Sequence, residues 1–154
     1  VLDQVARYGR EEGARVLATT SRRTPSWAEA QVKSALGDQH FCPLLVVANE
    51  VNRPGIVPAI LGASDVVIVS GESVSMISEA VASGKPVLIF KPGRDARLKS
   101  KFHVFLQKLY EENAAVETVP ETLRETIKTL LSGRRTRPVS GDPEVLAQAV
   151  RRIV

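Results

Sequence analysis

The sequence is poor in the residues that build disulfides and metal sites. Its 154 residues contain one cysteine, Cys42, and two histidines. A lone cysteine cannot close an internal disulfide, which is typical of a reducing compartment, so we expect a cytoplasmic location. Cys42 opens an apolar run, which favours a core role over that of a nucleophile. His40 and His103 lie far apart, and because no His/Cys cluster has zinc spacing, we expect no metal.

Other function classes are disfavoured by what is scarce. Aromatic residues make up only 5% of the chain, too few to favour a stacking platform for single-stranded nucleic acid. No apolar run approaches the length of a membrane span, and no secretory signal pattern is present. The net charge of +4 is compatible with phosphate-bearing ligands but does not select them. We therefore expect neither a nucleic-acid partner nor a membrane span.

The stretch from Asp65 to Phe90 has the clearest organisation. Its apolar, β-branched start predicts a strand buried on both faces, and Ser70 to Ser73 then forms a small polar turn. Residues 74–83 follow with helical apolar spacing, and Gly84 before Lys85-Pro86 predicts the helix end. Residues 87–90 are a second apolar strand. The pattern predicts a β-α-β unit with a right-handed parallel crossover.

The rest of the chain alternates in the same way. Further strands are predicted at 15–20, 44–48 and weakly at 115–116, and further helices at 1–13, 26–36, 56–62, 98–113, 121–131 and 142–153. This alternation predicts an α/β fold with a doubly wound, Rossmann-like parallel sheet. We expect residues 1–133 to form the main domain, and 134–154 to form a basic linker and a C-terminal helix belonging to it. Because the chain starts at Val1, we expect it to be part of a longer protein.

Two loops are candidate binding elements. The turn comprising Ser70, Gly71, Glu72, Ser73 and Val74 joins the carboxyl end of a strand to the amino end of a helix. There, free amides and the helix dipole favour an anion, above all a phosphate. Ser73 can cap this helix. Glu79 lies opposite Ile77 on the helix and shares a face with Ser75. The alternative is an ordinary β-α connection that binds no ligand.

The second candidate loop follows the first strand. It presents two hydroxyls and two guanidinium groups, from Ser21, Arg22, Arg23 and Thr24. Ser26 and Glu29 have the spacing of a capping box for the next helix. Taken alone, the loop is also compatible with a solvated basic turn. If its strand neighbours the strand at Asp65, the two loops wall the crevice where such sheets bind ligands, and together they suit a diphosphate.

Common nucleotide and hydrolase motifs are missing from the sequence. It has no G-x-x-x-x-G-K-[ST] P-loop, no G-x-G-x-x-G after the first strand and no G-x-S-x-G elbow. Any phosphate site would therefore use a different loop.

Several motifs together resemble the mitochondrial-fission protein family of plants and its bacterial relatives. The resemblance covers most of Arg15 to Tyr110. The residues that carry it are Thr20 to Pro25, Asn52 with Pro54, Glu72 to Ala80, Gly84-Lys85-Pro86, Lys101-Phe102 and Leu109.

That family in turn resembles two-domain glycosyltransferases of the B fold (GT-B), and this chain is similar to their carboxyl-terminal half. The resemblance implies that the turn at Ser70 to Val74 grips the diphosphate of a nucleotide-sugar donor and that Glu79 holds the ribose hydroxyls. It implies that Ser21 to Thr24 approaches the phosphates, and that an amino-terminal acceptor domain is missing from these 154 residues. Those transferases have a glycine-pair turn where this chain has Ser70-Gly71-Glu72-Ser73, so Glu72 adds negative charge there.

The expected function is donor binding and transfer of a sugar from an NDP-sugar to an acceptor. Amides at Gly71 to Val74, with Arg22 or Arg23, would stabilise the leaving diphosphate without a metal or cofactor. Any general base would come from the missing domain. One alternative is a non-enzymatic interaction module on the same fold, as in plant fission factors acting on the mitochondrial surface. The other is a sugar-nucleotide epimerase or hydrolase that uses Glu72.

Overall fold

A computed structural model describes residues 1–51, 54–91 and 100–133. Helices and parallel strands alternate along it, which confirms the predicted α/β, Rossmann-like class. The elements are α1 (Leu2–Glu12), β1 (Leu17–Thr19), α2 (Ser26–Leu36), β2 (Leu44–Val46), α3 (Ile56–Ala63), β3 (Val67–Ser70), α4 (Val74–Ala82), β4 (Val87–Phe90), α5 (Ser100–Glu111), β5 (Val116–Thr118) and α6 (Leu123–Leu131).

The chain divides into two compact units, Val1–Ser64 and Asp65–Val154. In the first unit, β1 pairs in parallel with β2, with Leu17 opposite Leu44. In the second, the strand order is β3-β4-β5, again parallel, with Ser70 opposite Phe90. Each unit thus aligns the carboxyl ends of its strands along one edge, where the loops of interest begin.

The core of the first unit comprises Ala6, Leu36, Phe41 and Cys42. Gly9 on α1 leaves room for Phe41, because a Cβ at this position would lie 2.6 Å from the ring atom Cδ2. Cys42 is buried, as predicted, and its thiol contacts the Leu44 carbonyl at 3.6 Å. Burial raises the pKa of the thiol, because the thiolate loses hydration. Cys42 is thus a packing residue.

The core of the second unit is built around the central strand β4. Val87, Leu88 and Ile89 are all buried, which explains why their stretch of sequence is apolar without alternation. Ile77 on α4, Leu106 on α5 and Leu123 on α6 are fully buried as well, and α4 contacts both β3 and β4. Helix α4 is therefore anchored to the sheet through Ile77, and this fixes where its amino end lies relative to β3 and β4.

Helix starts differ from the prediction in their hydrogen bonds. Helix α2 begins at Ser26, but its N-cap is Pro25 and no side chain caps it, so the predicted capping box is wrong. Ser73 is the N-cap of α4, as predicted, yet its hydroxyl makes no capping bond. Helix α4 ends as expected before Gly84, whose φ of 70° lies in the left-handed region that glycine tolerates best.

Several predicted elements fall outside the described residues. These are the linker from residue 134, the C-terminal helix over 142–153 and the start of the helix predicted from residue 98. Asn52, one of the residues that carry the family resemblance, also lies outside them.

Candidate functional site

The turn after β3 is shaped by a backbone bond to the neighbouring strand. The Gly71 N–H donates to the Phe90 carbonyl at 2.7 Å. A Cβ on Gly71 would approach that oxygen to 3.1 Å and Ile89 Cγ2 to 3.4 Å, so a larger residue would push the turn away from β4. Since the Gly71 amide is occupied, the expectation that it faces an anion is wrong. Glycine serves here for close approach.

Glu72 lies exposed in the same turn. The Ser70 hydroxyl donates to Glu72 Oε1 at 2.9 Å, which holds the carboxylate beside the carboxyl end of β3. An anionic ligand would meet this negative charge, so the turn needs positive charge from elsewhere to bind one well.

The amino end of α4 is uncapped by side chains. Ser73 is buried, and its Oγ lies 3.3 Å from Ser75 Oγ instead of bonding a helix amide. The Ser73 carbonyl accepts the Ile77 N–H at 3.0 Å, so the helix is regular from its first turn. The first N–H groups of a helix have no partner within it. Those of Val74 and Ser75 have no acceptor in the part of the chain that the structure describes, so an anion could bind there, at the positive end of the helix dipole.

Glu79 projects from α4 on the face predicted for it. It is exposed, like Ser75 one turn earlier, whereas Ile77 is fully buried. Glu79 and the α4 amino end therefore lie on one helix, about one and a half turns apart.

The loop after β1 is held by its own hydroxyls. The Ser21 N–H donates to Thr24 Oγ1 at 2.9 Å, and the Thr24 N–H donates to the Ser21 carbonyl at 2.9 Å. The Arg23 N–H donates to Ser21 Oγ at 3.2 Å. The two hydroxyls predicted to meet a ligand thus already shape a compact turn.

Arg22 and Arg23 are exposed on this turn. Neither is in an ion pair with a carboxylate among residues 1–51, 54–91 and 100–133. Their guanidinium groups are therefore the available positive charge of the loop, which suits them to phosphate oxygens.

Three residues beside this loop were missed as site residues by the sequence analysis. Glu29 Oε1 accepts from Asn49 Nδ2 at 2.7 Å and from Thr20 Oγ1 at 3.3 Å. Thr20 Oγ1 also accepts the Ala48 N–H at 2.9 Å. We call Thr20, Glu29 and Asn49 the Glu29 junction. Its partners lie 9 and 20 residues from Glu29, so only the run of polar residues after each strand could have signalled it.

A further polar group lies at the edge of the second sheet. Lys91, directly after β4, forms an ion pair with Glu117 on β5 at 2.7 Å.

The Tyr110 hydroxyl is buried and has no hydrogen-bond partner among the described residues. Burial, and to a lesser degree the charge of Glu117, raise the pKa of Tyr110 to about 12. His103, on α5, is exposed.

The predicted site residues thus form two local groups. Ser21 to Thr24 lie together in the first unit, whereas Ser70 to Val74 and Glu79 lie together in the second. That the two groups face one crevice stays a prediction. Within the part of the chain that the structure describes, no group of His, Cys, Asp and Glu could hold a metal ion. Nor does any helix there have the length and apolar character needed to cross a membrane.

Comparisons with known proteins add the family. A protein of Rickettsia prowazekii (strain Madrid E), named "Uncharacterized protein RP120", is 33% identical over 98 residues. The match covers 62% of this chain and 26% of that protein, so the matched part spans about a quarter of its relative's length. No solved structure matches the chain. The family model described as "Mitochondrial fission ELM1" matches residues 1–151, and the chain therefore belongs to the mitochondrial fission ELM1 family.

Proposed function

We propose that the chain binds the diphosphate of a nucleotide sugar and is the donor-binding half of a glycosyltransferase of the B-fold type. The observation that carries the proposal is the amino end of α4, where Ser73 makes no cap bond and the Val74 and Ser75 amides have no acceptor among the described residues. Such an end binds phosphate through N–H groups and the helix dipole. Arg22 and Arg23, which form no ion pair within the described ranges, would offset the negative charge of Glu72.

The proposed chemistry is displacement at the anomeric carbon of the sugar. The bond between that carbon and the diphosphate oxygen breaks as an acceptor oxygen attacks, and the electron pair leaves with the diphosphate. Amides of Val74 and Ser75, together with Arg22 or Arg23, would stabilise the charge that develops on the leaving group. Glu79 would hold the ribose hydroxyls, and the acceptor's proton would pass to a base outside this chain.

Isothermal titration calorimetry with UDP-, GDP- and CMP-linked sugars tests the proposal. We expect one of these classes to bind and Arg22→Ala or Glu79→Ala to weaken its binding by about tenfold or more, since each removes a charged hydrogen bond. Arg15→Ala is the matched control for Arg22, because Arg15 is exposed just before the amino end of β1. Glu125→Ala on α6 is the control for Glu79. If no nucleotide binds, or if the controls weaken binding equally, the donor site is excluded.

A non-enzymatic interaction module on the same fold is the second candidate. Trp27, on the first turn of α2, is 65% exposed, which is unusual for so large an apolar side chain. Tryptophan is enriched at the centres of protein interfaces. Absence of nucleotide binding, combined with loss of a partner on Trp27→Ala, would favour this function. A sugar-nucleotide epimerase or hydrolase that uses Glu72 would instead be favoured if the chain epimerises or hydrolyses a sugar nucleotide and Glu72→Gln abolishes that activity.

A further inference from the structure

The Glu29 junction ties together three chain segments that meet at the carboxyl ends of β1 and β2. Thr20 follows β1, Asn49 belongs to the turn after β2, and Glu29 lies in the first turn of α2. One carboxylate oxygen, Oε1, accepts a hydrogen bond from each of the other two side chains, at 3.3 Å and 2.7 Å. Bonds to a carboxylate are stronger than bonds between neutral groups, so this oxygen is the strongest acceptor in the network.

The junction continues into the backbone of the Ser21–Thr24 loop, which carries both arginines. Asn49 Nδ2 also contacts the Thr24 carbonyl at 3.4 Å, which fixes the end of the turn that contains both arginines. Thr20 Oγ1 accepts the Ala48 N–H, so it fastens the start of that turn to the segment after β2. Thr20 therefore links Glu29 to the start of the Ser21–Thr24 loop, and Asn49 links Glu29 to its end.

The choice of partners by Glu29 is informative. A half-buried carboxylate beside a loop that carries two exposed arginines could pair with one of them, but it bonds the neutral Thr20 and Asn49 instead. Arg22 and Arg23 are thereby left available for an external anion. Because α2 has no side-chain cap, capping does not explain a glutamate at position 29. Its hydrogen bonds to Thr20 and Asn49 explain it better.

We infer that Glu29 is a positioning residue that fixes the Ser21–Thr24 loop in the shape that presents its guanidinium groups to a diphosphate. The ligand part of this inference rests on the proposed function, whereas the loop part does not. Glu29 acts as a hydrogen-bond acceptor, so an amide oxygen in its place keeps the role and a methyl group abolishes it.

The test compares Glu29→Gln with Glu29→Ala in the whole chain, by two-dimensional NMR and by calorimetry with UDP. Glu50→Ala is the matched control, because Glu50 is also a carboxylate next to the junction but pairs with exposed Lys33. Hydrogen exchange is followed at the Ala48 and Thr24 amides and at the Asn49 side chain. The Val16 amide, bonded to the Phe41 carbonyl at 2.8 Å in the same unit, reports general loosening.

We expect Glu29→Ala to speed exchange at Ala48 and Thr24 by about tenfold or more and to weaken UDP binding about tenfold, with Val16 unchanged. In Glu29→Gln and Glu50→Ala, the exchange rates at Ala48 and Thr24 and the dissociation constant for UDP should stay within about threefold of the original chain. The inference is overturned if Glu29→Ala leaves Ala48 and Thr24 unchanged, if Val16 exchange rises equally, or if Glu29→Gln fails to rescue. If the original chain binds no UDP-, GDP- or CMP-linked compound, the proposed function fails, while the exchange data still decide the role of Glu29.

Discussion

The two loops proposed to bind phosphate are shaped in opposite ways. In the loop after β1, side-chain hydroxyls and the Glu29 junction hold the turn, and Arg22 and Arg23 are exposed on it. In the turn after β3, a backbone bond from Gly71 to Phe90 holds the chain, and the helix amides that follow are uncapped. One loop therefore offers guanidinium groups, the other offers amides.

This difference has a consequence for each loop's tolerance of mutation. A loop held by side chains fails when an acceptor such as Glu29 is removed, whereas a turn held by backbone fails when its glycine is enlarged. Residues at the starts of α2 and α4 that make no cap bond should contribute little to the free energy of unfolding.

Replacing Gly71 should have the largest effect. Gly71→Val forces branched carbon atoms against the Phe90 carbonyl, which lies 3.1 Å from the Cβ position, and should destabilise the protein by about 2–3 kcal/mol. Urea unfolding followed by circular dichroism measures this change. Gly62→Ala is the control, since no atom of the described residues lies within 4 Å of its Cβ position in α3, and it should be neutral or stabilising. Equal losses in both variants would show that the contact with β4 is not what requires glycine at position 71.

The Tyr110 hydroxyl contrasts with the fully partnered Thr20 hydroxyl. The folded-state pKa of Tyr110, about 12, lies above the value of about 10 expected for the unfolded chain. Its contribution to stability is therefore complete below about pH 10 and is lost as the pH rises toward 12. Urea unfolding of the original chain and of Tyr110→Phe, from pH 8 to pH 11, should show a steeper loss above pH 10 for the original chain. Parallel curves would contradict the raised pKa.

The smallest effect is expected at the helix starts. Replacing an N-cap serine by alanine usually costs about 1 kcal/mol. Because Ser73 makes no cap bond, Ser73→Ala should change the free energy of unfolding by less than about 0.5 kcal/mol, and so should Ser26→Ala. A loss of a full cap's magnitude at Ser73 would mean that its hydroxyl bonds the first turn of α4 after all.

The sequence predicted the elements better than it predicted the loops. The apolar run of β4 and the Gly84 helix end are local signals, and both were confirmed. The capping box failed because α2 has Pro25, not Ser26, as its N-cap, and Glu29 bonds Thr20 and Asn49 instead of a helix amide. The Gly71 amide was misassigned because it bonds the adjacent strand. The partners of Glu29 and Gly71 are distant in sequence, so residue spacing cannot reveal them.

The proposed function requires that both loops contact one diphosphate, and an NMR titration of the isotope-labelled chain with UDP tests this requirement most directly. The account predicts chemical-shift changes at the Arg22, Arg23 and Thr24 amides and at the Val74 and Ser75 amides, all saturating with one dissociation constant. Changes confined to one loop, or two different dissociation constants, would contradict it.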